Sequence, residues 1–140
     1  MKQQLKKIVY ERALEKYGEI SDYHKYRIVA ELKIIKEVKE EDAVLFMEKL
    51  ISTAKKLNIQ IEVDQEQIKS SFVFYLLGIS HIDPIEAGLR FELPDIGEMG
   101  IELSPEDIPA IQREFPGEED MLSFCAFIKD KQNSQLTENR

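Results

Sequence analysis

Six consecutive large apolar residues, Phe72-Val73-Phe74-Tyr75-Leu76-Leu77, run directly into Gly78 and constrain this chain more than any other feature. A helix turns by about 100° per residue, so such a run covers more than half of its circumference. An ordinary surface helix needs a single apolar stripe. The run must therefore be covered on both sides. Two coverings stay open: the N-terminal helices of the same chain, or a second copy, which would make the protein a homodimer.

A chain of 140 residues can bury such a run within one core. Residues 1–131 read as a single domain and the polar stretch 132–140 as a disordered tail. Apolar and charged fractions of 43% and 33% are those of a soluble globular protein. No stretch approaches the length of a membrane span. The basic N-terminus interleaves charges with its apolar residues, unlike a secretory signal. The single cysteine, Cys125, sits between Phe124 and Phe127, reads as a small buried hydrophobe, and fits a reducing cytoplasm. Two histidines and no Cys/His cluster argue against zinc.

Charge is split along the chain. Residues 1–57 carry 13 Lys+Arg against 10 Asp+Glu, and residues 58–140 carry 6 against 17. Polyanion binding requires clustered cations. DNA binding is therefore expected to be weak, nonspecific and confined to the first half.

Helical spacing of Leu5, Ile8, Val9, Ala13, Leu14 and Tyr17 predicts a first helix that Gly18 stops. Ser21 or Asp22 caps a second, with Tyr26, Val29, Leu32 and Ile35 or Val38 inward. A third carries Ala43, Phe46, Met47, Leu50, Ile51 and Ala54 on one stripe, an acidic first turn, and Lys55-Lys56 at its negative end. Alternation at Ile59, Ile61 and Val63 predicts a strand. Asp64 then caps a helix continuing through Tyr75 to Gly78, with Gln67 placed for a capping box. Asp83-Pro84 starts another helix, and His81 reads as a turn residue. Ile101–Leu103 reads as a strand. Ser104 starts a helix shortened or kinked by Pro109 and ended by Pro116-Gly117. Met121–Lys129 forms the last helix. The expected class is α+β, with several helices against a small sheet of two to four short strands.

Three stretches resemble one family. They are LKKIVYERALEKYGE, YRIVAELKIIKEV with the following AVLFMEKLISTAKKLNIQI, and SSFVFYLLGISHIDPIEAGLRFE. The second is similar to an R-x-x-x-E-L-x-x-I helix. The third is similar to S-L-V-A-Y-L-L-G-I-T-x-I-D-P-x-x-x-x-L-x-F-E-R. Together they resemble the segment that enters and opens the palm of the alpha subunit of bacterial DNA polymerase III, the family C replicative polymerase. The resemblance runs from about Leu5 to Phe115.

The resemblance implies where chemistry would lie, and both places are altered. The family's G-x-G-R-G-S phosphate loop precedes the S-L-V helix, where this chain has Val63-Asp64-Gln65-Glu66-Gln67. That stretch has no glycine to cradle a phosphate, no arginine, and two carboxylates facing the place of a triphosphate. The family's P-D-x-D-x-D strand holds two Mg²⁺ ions on alternating carboxylates. In one register Pro94-Asp95-Ile96-Gly97-Glu98 places a glycine at the second carboxylate. In the other, Glu98, Gly100 and Glu102 take the three positions. Asp95, Glu98 and Glu102 are thus the candidate metal ligands, of a weak Mg²⁺ site at best.

The expectation from all of this is a non-catalytic relative of the alpha subunit with a binding or structural role linked to DNA replication. No catalytic or cofactor-binding residue is assigned, and no polymerase activity is expected. Two alternatives stay open: a metal-dependent nucleotide-binding or nucleotidyltransferase remnant, and a protein–protein interaction module.

Overall fold

A computed structural model describes residues 2–93, 101–125 and 127–128. Three long helices come first: α1 (Lys2–Tyr17), α2 (Asp22–Glu37) and α3 (Glu41–Lys56). Strand β1 (Ile61–Val63) leads into two short helices, α4 (Gln65–Ile68) and α5 (Phe72–Leu76). Strand β2 (Ile101–Leu103) and a 3-10 turn (Pro105–Asp107) precede α6 (Ile108–Glu114), α7 (Glu119–Cys125) and β3 (Phe127–Ile128). The three strands form one sheet in the order β1-β2-β3. β1 runs antiparallel to β2, with Glu62 opposite Glu102, and β3 runs parallel to β2. The α+β class and the small sheet are as the sequence predicts.

Helix α5 lies at the centre. α1 and α2 pack against it, and α1 also packs along α3. Phe72, Val73, Phe74, Leu76 and Leu77 are all buried, and Tyr75 packs against the core from its edge. The chain's own helices thus cover both sides of the apolar run, and Phe74 is 0% exposed. Beside it, α1 supplies Leu5, Val9 and Ala13, and α3 supplies its whole expected stripe apart from the half-buried Ile51.

Several expectations are corrected. The inward face of α2 carries Arg27, Ile28, Glu31 and Ile35. Tyr26 and Val29 face solvent at 66% and 56% exposure, and Val38 is exposed as well. Leu14 of α1 is also exposed. The single helix expected from Asp64 to Gly78 is two. Asp64 caps α4 by accepting the Glu66 N–H (3.1 Å). At α5 the Phe72 and Val73 N–H groups leave the helical ladder for the Glu31 carboxylate, and Ser71 Oγ accepts from the Phe74 N–H. A new N-terminus is thereby fixed at Ser71.

Gly78 closes α5 with φ +82°. The Ile79 N–H returns to the Phe74 carbonyl (2.9 Å), a left-handed stop that favours glycine. Asp83 caps as expected, but one turn follows instead of a helix. Its Oδ1 accepts the Ile85 N–H (3.0 Å) and the Leu89 N–H closes on the Pro84 carbonyl. Pro109 occupies the first turn of α6, where a missing N–H costs nothing. The last helix ends at Cys125, because Phe127–Ile128 pairs with β2. Residues 132–140 lie outside the described residues.

Candidate functional site

The second and third of the stretches that resemble the polymerase family meet in space. Arg27 and Glu31 lie one turn apart on α2 and face the start of α5. Glu31 is 0% exposed and accepts four hydrogen bonds: from Arg27 Nε (2.9 Å), the Ser71 hydroxyl (2.8 Å), the Phe72 N–H (2.8 Å) and the Val73 N–H (2.9 Å). Burial raises its pKa, and the Val73, Phe72, Ser71 and Arg27 donors act in the opposite direction. Arg27 also donates through Nη2 to the Ser70 carbonyl (2.7 Å). A buried charge survives only when partners replace its water, and here every partner comes from the arginine or from the 70–73 backbone and hydroxyl.

The other end of α5 is held by the opposite charge. Arg12 of α1 donates through Nη1 to the Leu77 carbonyl (3.2 Å) and pairs with Glu48 of α3. Glu48 is buried and also accepts from the Ser52 hydroxyl (2.9 Å). A carboxylate at the N-terminal end and a guanidinium at the C-terminal end suit the helix dipole. Beyond Gly78, Tyr17 of α1 reaches Asp83 Oδ2 (3.5 Å) and lies against His24 and Phe72 at ring distances of 4.4 and 6.3 Å. Burial, followed by the Asp83 charge, pushes the Tyr17 hydroxyl up to about 12.

The altered stretch Val63–Gln67 forms the end of β1 and the start of α4. Asp64 is exposed and spent on the α4 cap, while Glu66 pairs with Lys69 (2.9 Å). Gln65 turns inward, donating to the Val63 carbonyl and accepting the His81 N–H (2.9 Å). Here a cavity of about 680 Å³ opens between the end of α3, β1 and the Gly78–His81 turn. Its floor is aliphatic, from Ile51, Ile59, Ile61 and Ile79, and Lys55, Glu62 and His81 stand among its polar residues.

Of the candidate metal ligands, Asp95 and Glu98 lie outside the described residues. Glu102 is the middle residue of β2, flanked by buried Ile101 and Leu103, and its Cα partner is Glu62. Among the described residues no group of three His, Cys, Asp or Glu side chains could hold a metal ion. No described helix is long and apolar enough to cross a membrane.

The clamp residues Arg12, Arg27, Glu31 and Glu48 were not predicted as inward-facing. A signal existed at Arg27 and Glu31: they share a helix face with Ile28 and Ile35, and the i, i+4 spacing allows the pair to form within that face.

The profile of the family described as Bacterial DNA polymerase III alpha NTPase domain matches residues 3–97. The chain belongs to this family. The matched span contains α1 to α5, both clamps and the altered loop. The DNA polymerase III subunit alpha of Thermotoga maritima is 30% identical over 82 residues, which are 59% of this chain and 10% of that protein. The chain therefore spans about a tenth of the length of the polymerase subunit it matches.

Proposed function

We propose that this member of the DNA polymerase III alpha family is non-catalytic and serves a binding or structural role connected with DNA replication. The observation that carries this reading is the fate of Val63–Gln67. In the place where the resemblance puts a glycine-rich phosphate loop, Asp64 caps a helix with its own carboxylate and Glu66 holds Lys69. A triphosphate there would meet two carboxylates, and no arginine lies in the stretch. Around it, α5 is held at its start by the buried Glu31 and at its end by the half-buried Arg12. The single cysteine supports a reducing, cytoplasmic setting. No cofactor is needed for this role, and DNA binding is weak and nonspecific.

A second reading, a nucleotide-binding remnant, draws on the family's description and on the cavity holding Lys55 and His81. It requires Mg²⁺ at Asp95, Glu98 and Glu102. Calorimetric titration with Mg²⁺ and a deoxynucleoside triphosphate separates the two. The non-catalytic reading expects no saturable heat and no template-dependent primer extension above a heat-killed control. Saturable nucleotide binding that depends on Mg²⁺ would favour the second reading, and extension would overturn the first.

A further inference from the structure

We propose that the groove between α1 and α2 docks an acidic amphipathic helix of a partner protein. The inference is independent of whether the chain is catalytic. α1 packs on α3 and α5, and α2 packs on α5. Between them a groove of about 470 Å³ stays open. α1 lines it with Lys6 and Tyr10, and α2 with Val29, Leu32, Lys33 and Lys36.

This composition selects the occupant. Tyr10, Val29 and Leu32 make an apolar floor, and Val29 is an aliphatic side chain more than half exposed. The three lysines on the rim are exposed, and none takes part in the ion pairs found among the described residues, Arg12–Glu48, Arg27–Glu31 and Lys69–Glu66. Lys7 extends the cationic rim along α1. Glu41 is the sole carboxylate among the described residues that line the groove. A helix with apolar residues at i, i+3, i+4 and i+7 fills such a floor, and carboxylates on its flanks meet the lysines. Two helices flanking a groove accept a third at ordinary packing distances.

The rest of the molecule sharpens the choice. Residues 58–140 carry 17 acidic against 6 basic side chains, so an acidic partner is repelled there and finds its complement here. A single-stranded nucleic acid fits less well. Successive bases need successive aromatic platforms, and this groove offers Tyr10 between aliphatic neighbours. A long polyanion would also meet the acidic second half.

The test uses the full chain and a fluorescein-labelled peptide of about 18 residues, with leucines at the i, i+3, i+4, i+7 spacing and glutamates on both flanks. Anisotropy at low salt should show saturable binding. Lys33→Glu combined with Lys36→Glu, and separately Val29→Asp, should each weaken it about tenfold or more. These positions are exposed, and circular dichroism confirms that the variants stay folded. Tyr23→Ser, nearer the start of α2, should leave binding unchanged. Absence of saturable binding would overturn the proposal. Equal affinity for a scrambled peptide, indifference to the groove variants, or tighter binding of an oligothymidylate that the same variants abolish would do so as well.

Discussion

Glu31 carries the largest responsibility of any single side chain here. It satisfies two backbone N–H groups, a hydroxyl and a guanidinium, all removed from water. Breaking a buried pair by deleting one partner costs about 3–5 kcal/mol. Glu31→Leu should cost that much, measured by urea unfolding. Arg27→Met should cost less, because it leaves the α5 donors with their acceptor. If the two costs are equal, Glu31 matters only as the arginine's partner and the capping role is wrong. Tyr17 gives a pH signature. Its hydroxyl is raised from 10.0 to about 12, so the folded chain keeps a proton that the unfolded chain releases near pH 10. Stability from this group is full below pH 10 and is lost as pH rises toward 12. Alkaline spectrophotometric titration should find one tyrosine ionising late, and Asp83→Asn should bring it part of the way back. Cys125 behaves similarly: burial, then Glu40, raises its thiol to about 12. Native protein at pH 8 should resist thiol reagents that react at once after denaturation.

At the scale of elements, α5 is a five-residue helix that could not persist in isolation. Its stability comes from burial and from charges at both ends supplied by α1, α2 and α3. Phe74→Ala should cost about 3–5 kcal/mol and Leu76→Ala about 2–5 kcal/mol. Phe74→Asp should unfold the chain, since its ring is fully enclosed. A folded Phe74→Asp protein of smaller size in sedimentation would instead place Phe74 in an interface between copies. Gly78 adds a conformational constraint. A Cβ there would meet nothing within 4 Å, so Gly78→Ala is limited by the backbone alone, at about 1–2 kcal/mol.

For the whole molecule, the charge split decides how it meets polyanions. The basic excess is confined to residues 1–57 and the remainder is strongly acidic. Any DNA affinity should therefore be weak and electrostatic, detectable only at about 50 mM salt and lost by about 200 mM. Tight binding that survives about 200 mM would show a built nucleic-acid site. Self-association remains a proposal to be tested by sedimentation, and its surface must be sought away from α5. The exposed side chains Tyr23, Tyr26, Val29 and Ile34 put that search on α2.

Local rules by themselves determined much of this protein. The α3 stripe, the stops at Gly18 and Gly78, the caps at Ser21, Asp64 and Asp83, and the pairing segments Ile61–Val63 and Ile101–Leu103 are written in residue type and spacing. Each depends on interactions between residues a few positions apart, or on burial of an evident apolar face. The order of the three resembling stretches also sufficed to point to the family. Tertiary structure alone decided which face of α2 turns inward, that the helix after Asp64 breaks at Ser71, and that Phe127–Ile128 becomes a strand. In the first two cases the cause is one buried ion pair. Hydrophobic periodicity assigns arginine and glutamate to solvent, because an unpartnered charge there is cheapest in water. Glu31 escapes that rule only because residues 71–73, some forty positions away, bring three donors to it. At Phe127 the partner strand is likewise distant in sequence, at Glu102. No reading of a local window contains either partner.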